Sequence, residues 1–160
     1  MSEHSYSRHW VHLIFQTKNH LPLITPASEP AIHAHITAQL TEAGCAVQTV
    51  NGTADHIHAL FLLHPMRTIT DVVKQVKGNT SHWINLNDLT EEKFSWEKGF
   101  VSFSLSNDDV HKTFIAIVSQ KSIHESISVL EEIDTLITAN GITDPGLLNF
   151  QNQAADQILD

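Results

Sequence analysis

Apolar positions change period along the chain, and the changes mark its elements. Residues 8–17 (RHWVHLIFQT) are rich in β-branched and aromatic side chains, which predicts a strand. A turn-rich stretch, 18–30, leads into a helix predicted over 30–43, where Ile32, Ile36 and Leu40 recur at helical spacing and Gly44 supplies the stop. Residues 45–50 read as a second strand, Asn51-Gly52 as a tight turn, and 56–63 as the strand that returns. Over 68–86, Ile69, Val72, Val73 and Val76 share one helical face while Lys74 and Lys77 stand off it. Residues 94–105 predict a fourth strand, and Ser106-Asn107-Asp108-Asp109 a capping segment for a helix running to about Glu125. A last helix is predicted over 127–139, closed by Asn140-Gly141.

The order β-α-β-β-α-β followed by two helices is the split-βαβ, ferredoxin-like pattern. It predicts an α+β fold with an antiparallel sheet and helices on one face. Residues 1–142 are expected to form the domain, and 143–160, which lack clear periodicity, a C-terminal tail or docking arm. Such a fold says little about function.

Composition changes the picture in three places. At 160 residues and 41% hydrophobic side chains, the chain can bury a core. The apolar run 59–63 is far too short to cross a bilayer, and no leader pattern opens the sequence, so a cytoplasmic location is the expectation. The single Cys45 builds neither an internal disulfide nor a cysteine zinc site. A net charge of −9 argues against a protein that coats DNA, but seven of the eighteen acidic residues lie beyond residue 124, where no Lys or Arg occurs. The first 124 residues carry nine basic against eleven acidic groups. Arg67, Lys74, Lys77, Lys93 and Lys98 fall in mid-chain, where they could form a local anion-binding face.

The most informative run is Asp55-His56-Ile57-His58. On a strand, residues i and i+2 share a face, so His56 and His58 point together and offer half a site for a divalent metal. Among twelve histidines, the same pair also reads as two polar-face residues. Asp55 is a candidate to orient an imidazole, or it simply ends the turn.

Further motifs follow in order: VKQVKGNTS, FSWEKGF and a helix carrying Gln120 and His124. With DHIH, and with SYSRHWVHLIFQTKNHLPLI at the start, this set resembles the single-tyrosine HUH transposases of small insertion sequences and their REP-associated relatives. The likeness runs from near Tyr6 to Gly141-Ile142. The resemblance implies that His56, His58 and Gln120 are metal ligands for Mg²⁺ or Mn²⁺. It also implies single-stranded or hairpin DNA as the partner, a homodimer as the assembly, and strand cleavage and joining through a phosphotyrosine. By the same likeness Lys74, Lys77 and Arg67 are candidates to bind DNA phosphates.

The chain departs from this family at one position. The family tyrosine lies four residues before the glutamine, one helical turn away, and here that residue is Ala116. Phe114 carries no hydroxyl, and the only tyrosine, Tyr6, precedes the first strand. Covalent phosphotyrosine chemistry is therefore not expected. Trp10, Trp83 and Trp96 read as core residues or base-stacking platforms, Ser119 and Thr113 lack an activating base, and Glu131, Glu132 and Asp134 read as a solvated helix face. The alternatives are a non-enzymatic DNA- or protein-binding domain on the same fold and an unrelated metal phosphoesterase.

Overall fold

The computed structural model describes residues 5–142; the segment 143–160, expected as a tail or docking arm, lies outside the described residues. Four strands, β1 (Trp10–Gln16), β2 (Ala46–Thr53), β3 (His56–Leu62) and β4 (Val101–Leu105), form one antiparallel sheet in the order β2-β3-β1-β4. Helices α1 (Glu29–Glu42) and α2 (Ile69–Leu86) connect them, and α3 (Val110–Val118), α4 (Gln120–Ile123) and α5 (Val129–Ala139) follow. This is the ferredoxin-like arrangement that the element order predicts.

Strand alternation assigns the two faces. Val11, Leu13 and Phe15 of β1 and Ile57, Ala59 and Phe61 of β3 pack with Ile32, Ile36 and Leu40 of α1 and Val72, Val73 and Val76 of α2 in the main core. The intervening residues turn to the other face. There Ile14 and Phe103 meet Val129 and Ile133 of α5, while Trp10 and Leu60 meet Ile117 of α3. The sheet is thus covered on both sides. The chain after β4 forms the roof over the face that also carries His12, His56 and His58.

Three boundaries differ from the sequence pattern. Asn51-Gly52 is not a turn: Asn51 pairs with His58, Gly52 with Ile57 and Thr53 with His56, so the reversal falls at Ala54-Asp55. Gly52 is needed for close approach, since a Cβ there would lie 2.0 Å from the His56 carbonyl oxygen. The predicted strand over 94–105 is split. Phe94 and Trp96 turn inward and Trp96 makes an isolated bridge to Thr17, but Gly99, at φ 81°, bends the chain before β4 begins. The predicted helix to Glu125 breaks at Ser119 (φ −95°, ψ 11°), which separates α3 from α4.

The tryptophans are packing groups. Trp10 and Trp96 are buried, and Trp83 stacks on His35 with ring centroids 4.3 Å apart. Lys77 differs from its expected role as a phosphate contact. It is buried on the α2 side, where Nζ donates to the carbonyl oxygens of Glu97 and Gly99, each at 2.7 Å. Burial lowers its pKa to about 8, against the opposing charge of Glu97. Lys77 therefore fastens the 97–99 turn to α2. Lys77→Met is expected to lower the unfolding free energy by about 1–3 kcal/mol, because two carbonyls lose their donor. Urea titration checks this, and an unchanged midpoint would refute it.

Candidate metal centre

Two adjacent elements of the sheet and two of its roof meet at one point. His56 and His58 project from β3 toward α4 and α5, and both are fully buried. Gln120, at the start of α4, is also fully buried. Its Oε1 lies 2.9 Å from His56 Nε2 and 2.9 Å from His124 Nε2, while its Nε2 donates to Glu132 Oε1 at 2.8 Å and to the Ala116 carbonyl at 3.3 Å. Glu132 Oε2 lies 2.8 Å from His124 Nε2 and 3.6 Å from His58 Nε2. Neither approach is aligned as a hydrogen bond. His58 Nε2 and Glu132 Oε2 are both buried without a hydrogen-bond partner.

Outer partners fix the rings. His56 Nδ1 lies 2.8 Å from Asp55 Oδ1 and 2.9 Å from the Thr53 hydroxyl, and the hydroxyl also donates to Asp55. Hydrogen bonding to His56 holds the Asp55 carboxyl below its usual pKa. His58 Nδ1 pairs with His12 Nε2 at 2.8 Å, and their rings stack with centroids 5.1 Å apart. Burial, then the neighbouring His58, pushes the His12 pKa down to about 3; burial also depresses that of His58. For Glu132, burial works to raise the pKa. The contacts with His58, Gln120 and His124 outweigh it and leave the group ionised, at about 2.

One donor atom from each of His56, His58, His124 and Glu132 lies within 4.8 Å of all the others, which is ligand spacing for one ion. The buried, unpartnered His58 nitrogen and Glu132 oxygen fit such an ion, because each costs free energy if left unpaired. The structure thus brings together His56, His58, Gln120 and Asp55. Ala116 stands half-buried one turn before Gln120 and offers only a methyl group.

Other expected residues lie elsewhere. Lys74 is exposed on α2, and Arg67 Nη2 donates to Gln75 Oε1 at 2.8 Å; α2 packs on the face opposite the histidines. Tyr6 is 93% exposed, ahead of β1.

Sequence reasoning missed His12 and Glu132. The sequence pattern places Glu132 on a solvated face with Glu131 and Asp134, but it falls on the inner stripe of α5 with Val129, Ile133 and Leu136. Glu131 is instead spent at the helix start. Its backbone N–H donates to Ser128 Oγ at 3.2 Å, and its carboxylate accepts from Ser128 N–H at 2.7 Å. The i, i+3, i+4, i+7 spacing held the signal for Glu132, and the two-residue period of β1 held that for His12.

A cleft of about 400 Å³ opens beside the cluster, lined among others by His20, Asp55, His124, Ile127 and Leu130. No helix among the described residues is long and apolar enough to cross a membrane.

Comparison with known proteins agrees with this fold. The chain resembles a protein of Deinococcus radiodurans R1 described as a transposase, with TM-score 0.59 and 17% identity over 75% of this chain and 96% of that one. It also resembles a REP-associated tyrosine transposase bound to a REP hairpin, with TM-score 0.59 and 13% identity over 79% of this chain and 76% of that one. At such identities the likeness is one of fold. No curated protein sequence matches the chain. The family described as "Transposase IS200 like" matches residues 5–126, a span that takes in His56, His58, Ala116 and Gln120. The chain belongs to the IS200-like transposase family.

Proposed function

We propose that this chain binds single-stranded or hairpin DNA as a transposase-family protein that does not cut it. The observation that carries this reading is the buried meeting of His56, His58 and Gln120 one helical turn from an alanine. His56 and His58 are the ligands of a divalent ion with Gln120 beside them, and Asp55 and His12 orient the two imidazoles. Mg²⁺ or Mn²⁺ is the class implied by the family resemblance, and such an ion would supply Lewis acidity to a phosphate oxygen only where a coordination position is open. Strand transfer through a phosphotyrosine would also need a tyrosine hydroxyl, and Ala116 has none.

The hairpin held by the structurally similar REP-associated transposase supports a folded DNA strand as the partner. Lys74 is a candidate phosphate contact exposed on α2, on the face opposite the histidines, whereas Lys77 is committed to Glu97 and Gly99. A homodimer joined along a sheet edge is part of the reading. β2 and β4 each have one strand neighbour, and joining edges removes an aggregation liability.

The test is fluorescence anisotropy with a labelled hairpin, run with and without divalent ion. Salt-sensitive binding is expected, with no covalent adduct on a denaturing gel and a complex whose light-scattering mass includes two protein chains. A covalent adduct from the unmodified chain would refute the reading. Absence of binding would favour the protein-binding alternative.

A further inference from the structure

The sequence supplies three candidate ligands, but the folded chain offers more. His124 and Glu132 reach the same point from the roof of the sheet, and their donor atoms lie within 4.8 Å of those of His56 and His58. The hydrogen-bond partners of the rings show what that point is built to hold. His124 Nδ1 faces the Ile127 carbonyl at 2.9 Å, and an oxygen that can only accept assigns the proton to that nitrogen. His56 Nδ1 faces the Asp55 carboxylate in the same way. Both Nε2 atoms face Gln120 Oε1 at 2.9 Å, and the buried His58 Nε2 and Glu132 Oε2 beside them have no hydrogen-bond partner. Polar atoms buried without a partner cost free energy that an ion between them would recover.

The distances agree with such a cation. A tetrahedral ion with metal–nitrogen bonds of about 2.05 Å separates its ligands by about 3.3 Å. The ligand pairs His124–Glu132 and His58–Glu132, at 2.8 and 3.6 Å, bracket that edge.

We propose that His56, His58, His124 and Glu132 form a closed site for a zinc-class ion, with Gln120 braced among them, and that Glu132 fills the position a DNA phosphate oxygen would need. This builds on the reading of His56 and His58 as ligands but changes the ion and its task. Three imidazoles and one carboxylate suit Zn²⁺ and its neighbours, whereas Mg²⁺ takes octahedral oxygen ligands and keeps several waters. Four protein ligands without an open position are the mark of a structural site. The ion would clasp α4 and α5 to β3.

The experiment uses the full chain, freed of metal with a chelator and then loaded with Co²⁺, Zn²⁺ or Mg²⁺. Four-coordinate Co²⁺ should give intense visible absorption, and Zn²⁺ should raise the thermal midpoint where equal Mg²⁺ does not. Glu132→Gln should weaken Zn²⁺ binding at least tenfold and reduce the Co²⁺ bands, and His56→Ala should abolish both. Weak, six-coordinate Co²⁺ absorption by the unmodified chain would overturn the proposal without any variant. So would Zn²⁺ affinity unchanged by Glu132→Gln, or Mg²⁺ binding as tight as Zn²⁺. Hairpin binding is read separately. Its loss beside an intact Co²⁺ spectrum would count against the DNA reading alone.

Discussion

Gly52→Ala is expected to lower the thermal midpoint by about 6–12 °C, corresponding to about 3 kcal/mol or more. The added Cβ would sit 2.0 Å from the His56 carbonyl oxygen and 3.0 Å from its carbonyl carbon. Both are backbone atoms of the paired strand, so no side-chain rotation relieves the contact. β2 and β3 must separate where Gly52 faces Ile57 and Thr53 faces His56. The damage falls at the root of the metal centre, so the variant should also lose ion binding. Gly78→Ala on α2 is the control. Nothing lies within 4 Å of its added Cβ, and relief of helix-interior glycine should stabilise by about 0.8–1 kcal/mol. Differential scanning calorimetry of the pair decides the matter, and equal midpoints would contradict the close-approach argument.

Restoring the missing nucleophile is expected to need two substitutions. Ala116→Tyr alone should give no adduct with hairpin DNA. Ala116→Tyr combined with Glu132→Ala should give one in the presence of Mn²⁺. The tyrosine oxygen would attack phosphorus and the bond to the 3′ oxygen would break, leaving a 5′-phosphotyrosyl link and a 3′-hydroxyl that takes up a proton. Loss of a covalent nucleophile can cost on the order of 10⁶-fold, so the gain should move an undetectable product to a visible band. The second change follows from the closed-site proposal, in which Glu132 Oε2, 2.8 Å from His124 Nε2 and 3.6 Å from His58 Nε2, fills a ligand position. Adduct formation by the single variant would show that this carboxylate does not block the site. Denaturing gels and mass spectrometry of the linked peptide read the result.

Most of the scaffold was legible because its signals are local. The period of two in β1 and β3, the apolar stripes of α1 and α2, and the Ser106 segment before α3 each depend on near neighbours in sequence. His56 and His58 were legible for the same reason, since their common face follows from strand geometry alone. What escaped depends on partners far along the chain. Gly52 resembled a turn residue because its crowding comes from His56 across the hairpin. Lys77 resembled a phosphate contact because the carbonyls that engage it lie in a turn twenty residues away. Glu132 resembled its exposed neighbours because a charged residue on an inner stripe becomes informative only once three imidazoles are known to face it.

The placement of the ligands also divides the cost of assembling the site. His56 and Gln120 are 64 residues apart, whereas Gln120 and Glu132 are only twelve. Closing the longer loop carries a chain-entropy cost, and that cost is met when Ile14, Leu60 and Phe103 draw Ile117, Val129 and Ile133 onto the sheet. The strand pair of imidazoles is set separately, by register with β1 and β2. An ion arriving at the proposed site would therefore meet a half-site fixed by the sheet, with the second half tethered above it by a short chain. Its affinity would measure how firmly two small helices are held down, and any partner that pulled on α5 would also pull on the metal.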